Sequence, residues 1–164
     1  MTLTPAQQLV IQNYVLATPS LSSKPQTADG AWDIAIALNL SATIACTVWK
    51  TKVEVDEIMR NGMDWTQVDN LSVGKARIWD WMTKLGGFNA SKINVRAGID
   101  AAWVGTAAML AVRASIYVHC KRLASQAEKL LATGTGVDPA SPATLVYEGN
   151  LNYQEVGLAM GWIV

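Results

Sequence analysis

The feature that most constrains this chain is the stretch 107–132, AAMLAVRASIYVHCKRLASQAEKLLA. Met109, Val112, Ile116, Cys120, Leu123, Ala127 and Leu130 recur at steps of three and four, which on a 3.6-residue period is one apolar stripe. Thr106 stands where an N-cap is wanted and Gly134 lies just past the far end, the usual punctuation of a helix. At ~1.5 Å per residue such a helix is roughly 39 Å long, about the diameter of a compact body built from this many residues. The pattern predicts a mainly α-helical bundle organised around one long helix. Leu110 and Val118 lie opposite the stripe, so the first half is expected to be enclosed by other helices. Lys121, Arg122, Ser125 and Lys129 turn the second half outward.

Shorter elements can be read on either side. Thr4-Pro5 is a cap with proline at the first helical position, and Leu9, Val10, Asn13 and Leu16 continue a helical face, giving a helix over about 5–17. Pro19, Pro25 and several serines make 18–27 a loop. A second helix over about 29–40 carries Trp32, Ile36 and Leu40 on one side. The β-branched and aromatic run 46–53 predicts a short strand, 55–61 a short helix ended by Gly62, and Asp64 caps a turn through Trp65 and Val68. Ser72 caps a helix over 73–85 with Ala76, Trp79 and Met82 on one face. Asn94 is read as the cap of another over 95–104, with Ile99 and Trp103 together. Beyond Gly134 the chain reads as a loop, an alternating strand at 144–148, a return strand at 151–153, and a short helix at 153–160 opened by the Asn152/Glu155 capping box. We therefore read 1–164 as a single helical domain with a C-terminal extension from about 134 that includes a small β element.

Composition narrows the function classes. Thirteen basic and thirteen acidic residues cancel, so no net field exists to draw in nucleic acid or an anionic membrane. The most apolar window, 101–118, is interrupted by Gly105, Thr106 and Arg113, and arginine near a bilayer centre costs ~2.5–3.5 kcal/mol, so no membrane span is expected. The opening residues lack the basic and uninterrupted apolar segments of a signal peptide, which predicts a protein kept in a cytoplasm. A hydrophobic fraction of 51% against 16% charge leaves more apolar surface than a lone subunit of this size should carry. The chain also runs into a wholly apolar segment, Gly161-Trp162-Ile163-Val164. Met160, Trp162, Ile163 and Val164 are the expected contact with a neighbouring copy. Arg113, on the flank of the apolar stripe, needs a partner that is either an internal carboxylate or carbonyl or another subunit.

Residues capable of chemistry do not form a reacting constellation. His119 and Cys120 are neighbours on a helix and point about 100° apart, and no further ligands stand at metal-binding spacing. Glu54, Asp56 and Glu57 sit at the start of a helix, where its dipole favours them. Thr133-Gly134-Thr135-Gly136 follows a helix rather than joining a strand to one, and Gly74-Lys75 lacks the first glycine of a P-loop. The sequons at Asn39, Asn70 and Asn89 carry no weight without a secretory signal. No catalytic, cofactor or metal site is predicted, and the chain is not read as an enzyme.

Three segments, Val48-Trp49-Lys50-Thr51, KRLASQAEKLLATGTG over 121–136 and PATLVYEGNLNYQEV over 142–156, together with the opening helix and Asp29-Gly30-Ala31, carry a resemblance. They resemble a group of short proteins encoded among the virion-assembly genes of tailed bacteriophages, over about two thirds of the chain. The resemblance implies a non-enzymatic virion component made in the host bacterial cytoplasm and present as a ring of copies. It would sit at the head-to-tail connection or in the tail, docking portal, neck or tail proteins. A soluble assembly chaperone or helical adaptor absent from the finished particle is the alternative. The resemblance transfers no functional residue.

Overall fold

The opening punctuation folds as its residue types dictate. Thr4 Oγ1 accepts from the Gln7 amide while Gln7 Oε1 accepts from the Thr4 amide, a reciprocal capping box that starts α1 (Pro5–Ala17). The computed structural model describes residues 2–84 and 86–162, and it is 56% helix, which makes the fold mainly α. The segment expected as a loop contains one helical turn, α2 (Pro19–Ser22), started by Pro19 and burying Leu21. Then come α3 (Ala28–Asn39), β1 (Thr47–Trp49), β2 (Val53–Glu54), α4 (Val55–Arg60), a 3₁₀ helix (Trp65–Asn70) and α5 (Val73–Thr83). The chain continues through β3 (Gly87–Phe88), α6 (Ile93–Ala102), α7 (Ala107–His119), β4 (Lys121–Leu123), α8 (Gln126–Leu131) and α9 (Tyr153–Met160).

The long helix expected over 107–132 is corrected to two helices with a strand between them. Thr106 caps α7 as predicted, accepting from the Met109 amide, but the helix stops at Cys120. From there the backbone is extended and pairs with β1: Cys120 O accepts from Lys50 N, and Cys46 O accepts from Ala124 N. Ser125 and Glu128 then form a second capping box that opens α8. That S-x-x-E spacing was the signal in the sequence for a new helix start. The stripe outlives the break, because Met109, Val112, Ile116, Cys120 and Ala127 are all buried, whereas Leu123 turns out to solvent with the strand. Leu110 and Val118 are exposed, so α7 is not enclosed on the side opposite its stripe.

The chain divides into two compact units, Met1–Val48 with Leu123–Val164, and Trp49–Arg122. In the first, α9 lies against both α1 and α3. Ile11 and Val15 of α1, Ala31, Ile34, Ala35 and Leu38 of α3, and Val156 and Ala159 of α9 make its core. Small residues on α3 decide which of its two apolar sides turns inward, since Ala31 and Ala35 let α9 approach. Gly30 is needed for a related reason: a Cβ there would run into the Pro25 carbonyl. The sides marked by Leu9, Val10 and Leu16 on α1, and by Trp32 and Ile36 on α3, are the solvent sides, and Leu40, expected on the same face, lies exposed just past the end of α3.

The C-terminal β element is also corrected. No strand forms over 144–148; the backbone makes only single-residue bridges, Val48 with Ala143 and Thr133 with Thr144. Leu151 does not pair back on that segment. Asn39 Nδ2 donates to Leu151 O and Asn39 Oδ1 accepts from Leu151 N, both at 2.8 Å, so a side chain stands in for a strand partner. The last helix matches the prediction: Asn152 and Glu155 form the capping box, and Gly161 at φ 69° lets Trp162 N–H reach back to Gly157 O.

In the second unit, α4, α5, α6 and α7 enclose Val53, Ile58, Trp79, Phe88, Ile99, Trp103, Val112 and Ile116. Strands β2 and β3 pair antiparallel, Val53 opposite Phe88. Asp64 and Ser72 cap as expected. Helix α6 starts earlier than read from Asn94: Lys92 is the N-cap, with no side-chain bond, and Asn94 lies inside the first turn.

Candidate functional site

The residues singled out from the sequence fall in two groups. In the first unit, Met160 and Trp162 are half-buried and pack on that unit's own core, so only part of each is left for a neighbour. Ile163 and Val164 lie outside the described residues. In the second unit, Arg113 Nη1 stands 3.6 Å from Asp100 Oδ1, an internal and partly solvated ion pair. Asp100 also accepts from the Tyr117 hydroxyl at 3.0 Å. Burial, and then the bond to Asp100, push the Tyr117 phenol up from its ordinary value.

Tyr117 leads to a site that sequence reasoning missed. Its ring lies 5.7 Å from that of Trp49, whose indole is approached by Arg96 at 4.6 Å and Lys121 at 5.3 Å. Arg96 is oriented by donating to Ala90 O at 2.7 Å. Each cation on the ring is worth about 0.5–1 kcal/mol where water still reaches it. Trp49 is thereby a structural rivet of the second unit rather than a free aromatic.

The acidic cluster at 54–57 disperses into separate pairs. Lys52 meets Glu54, Arg60 meets Asp56, and Lys50 Nζ binds both Glu57 oxygens at 2.9 Å. The Lys50 bond holds the Glu57 carboxyl below its ordinary value, against a smaller opposing effect of burial; His119 adds to the lowering. His119 Nδ1 lies 3.5 Å from Glu57 Oε1, and its Nε2 donates to Asn61 O at 3.0 Å. His119 thus clamps α4 to α7. Cys120 beside it is buried, and desolvation pushes its thiol up to about 12, far from a thiolate at neutral pH. Among the described residues no three His, Cys, Asp or Glu come together as a metal site.

The glycine-rich run 133–136 serves β1. Gly136 O accepts from Thr47 N at 2.7 Å, and Thr135 O accepts from the Cys46 thiol at 3.4 Å. Gly136, at φ 58°, lies where a Cβ would meet Thr47 O and Cys46 Sγ, so both its conformation and the space beside it require glycine. Burial raises the Cys46 thiol as well.

What remains conspicuous is a row on α3. Trp32 and Ile36, one turn apart on the helix, and Leu40, the extended residue that ends it, are 56%, 50% and 63% exposed. The Trp32 ring leans toward Tyr153 at 6.3 Å, and with Ala35, Asn39, Leu151 and Asn152 they line a shallow cavity of about 70 Å³. Such a row can bind apolar surface; it offers no proton donor, nucleophile or metal ligand. No helix among the described residues is long and apolar enough to cross a membrane. The chain matches no protein-family model, no curated protein and no solved structure.

Proposed function

We propose that this chain is a non-enzymatic structural subunit of a tailed-phage particle, which associates with copies of itself and docks portal, neck or tail proteins. The observation that carries this reading is the outer side of α3, where Trp32 and Ile36 on the helix and Leu40 just past its end are left in water while Ala31, Ile34, Ala35 and Leu38 of the same helix fill the core. Burying the half of each that is still exposed against a neighbour would gain about 1 kcal/mol apiece, roughly half the value for a fully exposed side chain. A contiguous apolar stripe is how a surface marks a protein contact. The resemblance of the segments at 48–51, 121–136 and 142–156 to virion-assembly proteins supplies the kind of particle.

Native mass spectrometry at micromolar concentration, alone and with purified portal, tests the reading. The expected result is an oligomer, or a complex with portal, that is weakened by Trp32→Glu and Ile36→Glu while the fold is kept. Strictly monomeric protein that ignores portal overturns it. Peptide mapping of virions from the encoding phage should find the chain in the particle.

A further inference from the structure

The second unit holds a cleft of about 530 Å³ between α4, the 3₁₀ helix and α5. Its floor is apolar: Trp79 is buried, and Met59, Val68 and Ala76 are half-buried. Trp79 is fixed from behind by Trp103, edge to face at 5.4 Å and 84°. The rim carries an exposed indole, Trp65, and two exposed carboxylates, Asp69 and Asp80.

The wall that presents Trp65 and Asp69 is tied down. Asp64 Oδ1 accepts from the Thr66 amide at 3.1 Å and the Thr66 hydroxyl at 2.7 Å, and its Oδ2 accepts from Gln67 Nε2 at 3.1 Å. Thr83, the remaining polar lining residue, commits its hydroxyl proton to the Trp79 and Asp80 carbonyls. Among the described residues, no lysine, arginine or histidine lines the cleft. Lys84 lies only loosely by Asp80, at 3.9 Å with both side chains well exposed. The lining therefore combines an apolar floor, aromatic faces and two negative charges at the mouth.

We propose that this cleft is a binding site for a small amphipathic organic cation, its apolar body on Trp79, Met59 and Val68 and its ammonium or guanidinium group at the mouth among Trp65, Asp69 and Asp80. A neutral apolar ligand would gain nothing from the two solvated carboxylates at the mouth, and an anion would be repelled by them. A bare metal ion would find mostly carbon on the floor. A soft, weakly hydrated cation is attracted by indole faces as well as by carboxylates. The volume lies within the ~300–1,000 Å³ typical of small-molecule sites. The inference does not depend on the virion reading.

The test is titration of the ¹⁵N-labelled full chain, followed by two-dimensional NMR, with 4-phenylbutylamine, with 4-phenylbutyrate, and with the peptide acetyl-Gly-Phe-Arg-Gly-amide. The amine is expected to shift the Trp65 and Trp79 indole N–H signals saturably and the butyrate to leave them in place. Asp69→Asn with Asp80→Asn should weaken amine binding about fivefold or more, from the loss of two solvated charge contacts. Trp65→Ala should weaken it too, and as a surface change it keeps the test alive if the double variant fails to fold. Equal response to amine and butyrate, no saturable shift, or undiminished binding by both variants overturns the proposal. Binding of the peptide tenfold tighter than the amine overturns the small-molecule assignment in favour of a basic protein segment. Oligomeric state is read separately, so failure here leaves the α3 row untouched, and the reverse.

Discussion

Asn39 does at a single residue what a strand partner would otherwise do. Both ends of its amide are used by Leu151, so truncation strands a donor and an acceptor in a part-buried place. Asn39→Ala should cost about 1–3 kcal/mol by urea unfolding, and Asn39→Asp, which loses the donor, should not restore it. Glu57 makes a pH-dependent contribution. Its folded pKa is held below the unfolded value by Lys50, so the ionised form adds stability above the ordinary carboxylate range, and that stability is lost as pH falls through the folded value. The pair is partly solvated, so the effect is small, under ~1 kcal/mol. The difference in melting temperature between wild type and Glu57→Gln should be present at pH 7 and close as pH drops below ~4.3. Arg113 belongs in the same class: its internal pair with Asp100 predicts that Arg113→Ala changes stability by less than ~1 kcal/mol.

At the scale of elements, most caps were readable, Asn94 and the Ser125/Glu128 box excepted, and partners were not. Thr4, Asp64, Ser72, Thr106 and Asn152 each bond a backbone amide two or three residues on, so the information sits within one turn. The end of α7 depends instead on β1, some 70 residues earlier in the chain, and nothing in the stripe from Met109 to Leu130 records that pairing. The choice between two apolar sides of α3 depends on the size of Ala31 and Ala35 and on the arrival of α9, so hydrophobic period alone could not make it. The candidate surface was therefore visible as a row of residues but not as a surface. Two predictions follow at this scale. Gly136→Ala should be strongly destabilising, because it meets β1 and requires a left-handed backbone. Glu128→Gln should destabilise both α8 and the turn at Gly149, since one oxygen caps Ser125 and the other accepts from the Gly149 amide; circular dichroism melts would register it.

For the molecule as a whole, the two units carry one thiol each. Cys46 belongs to the first and Cys120 to the second, both buried and both raised by desolvation. Native protein should leave Ellman's reagent unreacted. In denaturant, Cys46→Ser and Cys120→Ser variants should report the opening of the second and first units respectively, through the thiol each retains. The first unit is also discontinuous: its opening 48 residues close only on segments that follow residue 122. During translation α1 and α3 therefore leave the ribosome long before α9 exists to cover Ala31, Ile34 and Leu38. The intervening 74 residues, Trp49–Arg122, are by contrast contiguous and can condense as they emerge. A nascent chain that ends between α8 and Tyr153 therefore still lacks the helix that packs on both α1 and α3, and the opening helices must wait for the last one before their apolar sides are covered.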